Sequence, residues 1–360
     1  MKIFRCVNPG EITHLQKSDQ ALIIDANIKT IPEGYGLYLA TESEFLFDKN
    51  IRQLPVNCVS GSFVLENENG LTLLETSDIP DRTLFTTGLC NSNCIMCPYT
   101  EKFRLNSKLE SLNILTRFID LMNPDSEYVC ITGGEPTLLR NDFLKLIEHF
   151  KKHFSGALLH ILTNGRTFAY NDFLADFQKV RPYKTLLGVP IHADNAALHD
   201  YISQTKGSFY ETLRGLDNLY STGEHIELRV VTSKLNRENL PDLAKLIAKK
   251  YPYCQHVCIM GLEMMGNAMI NRDLVWCNYD ELRPFIQEAA NILLMSGVEV
   301  ELYNYPLCKI DYKFQPLYRK SITPAKIKFM PECDSCRRKL ECGGFFRTTK
   351  AMHDIIVKPY

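Results

Sequence analysis

The sequence predicts an α/β protein: a partial (β/α)6 TIM-like barrel over residues 82–303, a small β-rich domain over 1–81 before it, and a cysteine-bearing extension over 304–360 after it. Three observations carry this. Between residues 82 and 303, apolar runs of strand length alternate with segments whose apolar residues recur at helical spacing, and repeated βα units mean a parallel sheet. Before residue 82 the runs are all strand-like and are parted by turn signals. After residue 303 periodicity fades and cysteines take its place.

In the first part, ALIIDANI, GYGLYLA and CVSGSFVLENENGLTLLE read as strands, with PEGYG and NENG as turns between them. Its sheet edges suggest a platform for a peptide or partner. The barrel begins at RTLFTT, followed by a helix whose stripe is Leu109, Leu112, Leu115, Phe118 and Leu121. The strand EYVCIT, the helix around FLKLIEHF and the strand ALLHILT come next. KTLLGVPI, IELRVVT, HVCIM and VEVEL complete the strands, with helices such as NLPDLAKLIAKK and YDELRPFIQEAANILLM between them. In such barrels the chemistry gathers at the C-terminal ends of the strands.

The 360 residues are 45% hydrophobic, enough for a sizeable core, and Lys+Arg 41 against Asp+Glu 42 leaves a net charge of -1. That balance provides no field to gather nucleic acid or an anionic membrane surface. The opening MKIFRCVNPGEITH has no apolar signal core, and no run approaches the ~20 apolar residues of a membrane helix. The expectation is a soluble, cytoplasmic protein. In a reducing compartment, thirteen cysteines point to metal sites rather than disulfides. Cys90, Cys94 and Cys97 form one set, and Cys308, Cys333, Cys336 and Cys342 a second. Cys6, Cys58, Cys130, Cys254, Cys258 and Cys277 are scattered and read as core residues.

The first set stands in LCNSNCIMCPY, a CxxxCxxC spacing directly after the first barrel strand. Three thiolates this close can wrap one face of a cubane cluster and leave one iron without a protein ligand, whereas structural zinc is normally closed by a fourth ligand. At the end of the second strand, ITGGEPTLL places Gly133 and Gly134 where backbone can approach a ligand. Glu135 and the strand-end carbonyls could accept hydrogen bonds from an ammonium group, although a turn into a helix accounts for the same residues. The third strand ends in Thr163, Asn164 and Gly165, a polar exit or an ordinary Asn-Gly turn. His192 ends the fourth strand, where a structural role competes with a ligand contact. Arg229, within the fifth, needs an anion: a ligand carboxylate, or a local Glu227 or Asp242. In the sixth, Ile259, Met260 and Leu262 suit either core packing or a nucleobase pocket. The second cysteine set, ending ECDSCRRKLECGGFF, is a full ligand set for a closed [4Fe-4S] cluster or for zinc.

CxxxCxxC followed one βαβ unit later by GGEP resembles the signature of the radical S-adenosylmethionine (SAM) superfamily. The resemblance implies an enzyme that binds SAM on a [4Fe-4S] cluster held by Cys90, Cys94 and Cys97 and cleaves it reductively to a 5′-deoxyadenosyl radical. It implies SAM contacts from Gly133, Gly134 and Glu135 to the amino group and from Asn164 and His192 to the ribose, with the SAM carboxylate as one candidate partner of Arg229. The Cys308, Cys333, Cys336 and Cys342 segment resembles a shortened SPASM or twitch-like extension holding an auxiliary [4Fe-4S] cluster, making two clusters in all. Phe346 stands where the full SPASM pattern has a further cysteine.

Together with LHDYISQTKGSFYETLRGLDNL and YNYPLC, these motifs are most similar to the radical SAM maturase of the His-Xaa-Ser peptide system, HxsC. That likeness implies RiPP biosynthesis: an oxidoreductase-type peptide maturase acting on a ribosomally made precursor peptide to give a crosslink or an oxidation. It implies an electron donor such as flavodoxin or ferredoxin and a second radical SAM maturase as partners. Two other readings fit the same text: a radical SAM enzyme of cofactor biosynthesis with a small-molecule substrate, and a non-catalytic iron-sulfur or zinc protein.

Overall fold

The computed structural model describes residues 82–323, 326–352 and 355–360, preceded by the backbone of six strands between residues 2 and 75. Those strands are β1 (Lys2–Val7), β2 (Gln20–Ile23), β3 (Tyr35–Ala40), β4 (Phe45–Arg52), β5 (Phe63–Asn67) and β6 (Gly70–Glu75). They form one sheet in the order β4-β3-β2-β1-β5-β6, antiparallel except for the β1–β2 pair. The side chains of Cys6 and Cys58, and any use of this segment as a platform, lie outside the described residues.

The barrel consists of β7 (Arg82–Phe85), β8 (Tyr128–Thr132), β9 (Leu158–Leu162), β10 (Thr185–Pro190), β11 (His225–Val231), β12 (His256–Met260) and β13 (Val300–Tyr303). They lie side by side in chain order, each parallel to its neighbour, so six βα repeats end on a seventh strand. The intervening helices are α1 (Glu101–Asn106), α2 (Leu112–Leu121), α3 (Asn141–His153), α4 (Asn171–Val180), α5 (Ala196–Ser203), α6 (Ser208–Ser221), α7 (Leu240–Lys250), α8 (Asn267–Ile270), α9 (Arg272–Val275) and α10 (Tyr279–Met295).

Strand periodicity sorts the residues into two faces. Val129, Ile131, Leu159, Ile161, Leu187, Val189, Ile226, Leu228 and Val257 are fully buried in the main core, as are Phe143, Phe150, Leu216 and Ile247 of the helices. Each such side chain contributes about 1.5–3 kcal/mol through burial. The alternate residues, among them Tyr128, Cys130, His160, Glu227, Arg229 and His256, line a cavity inside the barrel. Gly188, in mid-strand on this inner side, has a steric reason: a Cβ there would stand 2.8 Å from His160 Nε2 and 3.2 Å from Arg229 Cδ.

Two local expectations need correction. Leu109 does not join the helical stripe, because Ser111 caps α2 by accepting from the Ile114 N–H, and the helix starts only after it. Leu109 is instead exposed in a bridge to Thr87. Cys130 and Cys258 sit in apolar runs, yet the alternation turns both to the inner side rather than to the packed face; Cys130 lines the cavity. Past β13 the chain is short 3₁₀ turns and one two-residue antiparallel pair, β14 (Ile327–Lys328) with β15 (Phe345–Phe346).

Candidate functional site

The loop after β7 carries Cys90, Cys94 and Cys97, and all three line one cavity of about 1330 Å3 that continues down into the barrel. Neighbours fix the loop through its backbone. Asn93 and Ile95 donate their N–H groups to Ser203 O and Ile202 O at the end of α5, at 3.0 and 2.9 Å. From α8, Asn267 Nδ2 reaches Cys94 O at 3.2 Å and the Ala268 N–H donates to Cys97 O. Ile95 and Met96 pack into a small apolar cluster with Ile202, Leu262 and Met264. A buried cation, Arg104, donates to Ser92 O and Asn93 Oδ1.

Burial pushes the Cys94 thiol up to about 12, with Cys97 and Cys90 adding to the rise. Burial and Glu135 push Cys90 up to about 11, and burial raises Cys97. Three neighbouring thiols that oppose one another's ionisation need added positive charge before they can serve as thiolates. The donor set therefore fits an iron-sulfur cluster bound on this wall, with Arg104 as supporting charge.

The GGEP loop packs directly on the cysteine loop. Gly134 N donates to Thr87 O at 2.6 Å and Glu135 N to Leu89 O at 2.8 Å. A Cβ on Gly134 would lie 2.1 Å from Leu89 O, and one on Gly133 would lie 2.5 Å from Thr87 O. The glycines are thus required by the contact between the two loops, and both also line the cavity. Glu135 has a structural role in this contact. Its carboxylate is fully buried and accepts from Thr137 N, Thr137 Oγ1 and Thr163 Oγ1 on Oε1 and from Asn164 N on Oε2, at 2.6–3.1 Å. It ties the second strand exit to the third.

The third exit is an Asn-Gly turn as well as a cavity wall. Gly165 is left-handed at φ 77°, and Asn164 Oδ1 accepts from Arg166 N while its amide donates to Asn91 Oδ1 at 2.5 Å. His192 lines the cavity 5.0 Å, ring to ring, from His199, and its Nδ1 has no hydrogen-bond partner. Burial, then His199, holds its pKa down to about 3. Arg229 also lines the cavity, but its guanidinium is paired with Glu227, two residues away on the same strand face. Of the two anions the sequence offered the strand arginine, the local carboxylate of Glu227 is the one it meets here. Met260 and Leu262 line the cavity, whereas Ile259 belongs to the packed core.

Sequence reasoning missed Arg104, Arg166 and His199. Arg166 joins the third exit to the cysteine loop through Asn91 O at 2.7 Å and Ser92 Oγ at 3.1 Å, and pairs with Glu211 at 2.6 Å. His199 stands beside His192 because its Nδ1 accepts the His192 N–H at 3.3 Å. Only the long-range contacts single these residues out.

The second cysteine set also converges. Cys308, Cys333, Cys336 and Cys342 line one small cavity with Phe329, Phe345 and Tyr360. Cys342 Sγ accepts from Leu307 N and Gly344 N, both at 3.3 Å. Burial, then Cys342, pushes Cys308 up to about 11, partly offset by buried Lys309.

With this geometry in view, residues 84–247 match the model of the Radical SAM superfamily, and the matched segment holds both CxxxCxxC and GGEP. Mycofactocin maturase MftC of Mycolicibacterium smegmatis is 28% identical over 168 residues, covering 45% of this chain and 40% of MftC. Fe-coproporphyrin III synthase of Methanosarcina barkeri is 27% identical over 196 residues, covering 52% of this chain and 46% of the synthase. The structure of Streptococcus suis SuiB bound to precursor peptide SuiA matches with a TM-score of 0.50 at 11% identity, over 62% of this chain and 48% of SuiB, a likeness of fold. The matches span less than half the length of these relatives. Among the described residues, no helix is long and apolar enough to cross a membrane.

Proposed function

We propose that this chain, whose residues 84–247 match the radical SAM superfamily, is a peptide maturase that abstracts hydrogen from a ribosomally made precursor peptide of His-Xaa-Ser type, giving a crosslink or an oxidation. The observation that carries it is the convergence of three thiols from one loop on the wall of a large cavity that runs into the barrel. At about 1330 Å3 the cavity exceeds the ~300–1,000 Å3 of ordinary small-ligand pockets, leaving room for a peptide segment beside SAM. The name of the relative MftC, a maturase, and the precursor peptide bound to SuiB support a peptide substrate.

Cys90, Cys94 and Cys97 would hold a [4Fe-4S] cluster, which when bound supplies the electron that cleaves SAM to a 5′-deoxyadenosyl radical. The residues of the chain bind and orient. Gly133 and Gly134 would offer backbone to the SAM amino group, and Asn164 and His192, which line the same cavity, would contact the ribose. Arg104 and Arg166 hold the cysteine loop in place, and Glu135 locks the two strand exits behind it. Cys308, Cys333, Cys336 and Cys342 would hold the auxiliary cluster.

Anaerobic reconstitution is expected to give about eight irons per chain, falling to about four when Cys90, Cys94 and Cys97 are all replaced by Ala. 5′-Deoxyadenosine should form when the reduced protein meets SAM and a peptide encoded beside it. Intact SAM under those conditions would refute the enzyme reading. The charged inner wall and the likeness to Fe-coproporphyrin III synthase favour a second reading, a small-molecule substrate. It predicts SAM turnover that is stimulated by a small acid and indifferent to peptide.

A further inference from the structure

Below the loops, the inner wall of the barrel carries a set of side chains that the reading above leaves without a role. Glu227 on β11 lies in register with His256 on β12, and Cys258 follows two residues later, so the strand period brings all three to one face. One ligand atom from each, an oxygen, a nitrogen and a sulfur, lies within 4.8 Å of the other two. Among the described residues, no other three His, Cys, Asp or Glu side chains are drawn this close. Glu227 Oε2 and His256 Nε2 are 3.0 Å apart.

A second, independent observation comes from β9, two strands along the same sheet. His160, 6% exposed, has its Nδ1 bound to the Tyr128 hydroxyl at 2.8 Å, while its Nε2 has no hydrogen-bond partner and points toward Glu227 Oε1 at 3.7 Å. A buried imidazole nitrogen left unsatisfied beside a carboxylate, an imidazole and a thiol marks a position where something is bound. Gly188 keeps the space clear, since a side chain there would collide with that same nitrogen.

We propose that Glu227, His256 and Cys258 bind one divalent cation of the zinc or ferrous type, with His160 Nε2 as the fourth donor. The ligand chemistry selects the ion. Thiolate and imidazole suit borderline cations, whereas calcium and magnesium require oxygen cages. The surroundings resemble the outer support of a metal site: Arg229 holds the carboxylate from the side away from His256, and the Tyr303 hydroxyl approaches Cys258 while donating to Glu301 at 2.8 Å. Glu227 and His256 line the cavity, so the ion is reachable from it. The site stands whether or not SAM is cleaved.

The test is equilibrium dialysis of the cluster-reconstituted protein against buffered zinc, with zinc and iron counted by mass spectrometry and zinc-edge X-ray absorption on the wild type. The expected result is about one zinc per chain more in the wild type than in Cys258→Ala or His256→Gln, at equal iron, with a single sulfur at about 2.3 Å among nitrogen and oxygen neighbours. Equal zinc in all three proteins would overturn the proposal. So would a wild-type spectrum showing four sulfur neighbours, which would place the zinc in the Cys308 set; that readout holds even where a variant folds poorly.

Discussion

Replacing Gly134 by Ala tests whether the GGEP glycines serve the contact between the two loops. The new Cβ would lie 2.1 Å from Leu89 O and 2.6 Å from Gly88 O, both backbone atoms of the segment that leads into Cys90. Neither can swing aside as a side chain would, so one loop must retreat by about 0.9 Å merely to restore a 3.0 Å contact. Overpacking of this kind costs about 1–3 kcal/mol, and each of the two loop-to-loop hydrogen bonds, from Gly134 N and Glu135 N, contributes about 1 kcal/mol. The expected loss is about 2–4 kcal/mol in chemical denaturation, together with loss of the irons assigned to Cys90, Cys94 and Cys97. Gly156→Ala is the control, since its Cβ meets nothing within 4 Å and should change stability by less than about 1 kcal/mol. If Gly134→Ala matched the wild type in denaturation midpoint and in iron content, the close approach of the loops would not be what the motif is for.

Two further outcomes follow from the same residues. Glu135 is the second-largest influence raising the Cys90 thiol, after burial, so Glu135→Gln should lower that thiol and speed its alkylation at pH 8 in cluster-free protein. The same change sets an amide against four donors and should cost about 1–3 kcal/mol; unchanged alkylation and unchanged stability would each contradict the assigned contact. Burial holds the His192 and His199 imidazoles down to about 3 and about 4. Because their folded values lie below the ordinary 6.5, the neutral pair supports the fold fully above pH 6.5 and loses that support as pH falls toward 4. Between pH 6.5 and 5 each imidazole should remove about 2 kcal/mol. His199→Asn, which retains an acceptor for the His192 N–H, should flatten the acid limb by about one imidazole's share, and an acid limb as steep as the wild type's would refute the assignment.

What could be read from the sequence was whatever repeats at short range. Strand and helix periodicities place all seven barrel strands, and the two cysteine sets stand out because their members are near one another in the chain. Contacts set by tertiary approach were not legible. Nothing in GGEP announces that the Glu135 carboxylate accepts from Thr137, Thr163 and Asn164, because two of those residues lie a whole βαβ unit away. Arg104 has no sequence signature, because its partners Ser92 and Asn93 meet it only once the loop folds back. Arg229 was legible as a cation in need of an anion, and Glu227 was one of the partners the sequence offered.

The inner wall follows from the same alternation that builds the core. In HIELRVV the residues Ile226, Leu228 and Val230 are buried while Glu227 and Arg229 face inward, and in HVCIM the residues Val257 and Ile259 pack outward while His256 and Cys258 turn in. A hydrophobicity profile sees two apolar strands in these segments, because half of each strand satisfies the core and masks the other half. The polar half carries a real cost: an ion pair, two imidazoles and a thiol are withdrawn from water where a filled barrel would hold branched aliphatics. Burial of this kind contributes little net stability even when well paired, so stability alone does not account for retaining it. On this wall Cys258→Ala and His256→Gln leave the Glu227–Arg229 pair in place, whereas removing either member of that pair strands a buried charge and should destabilise the fold by about 3–5 kcal/mol.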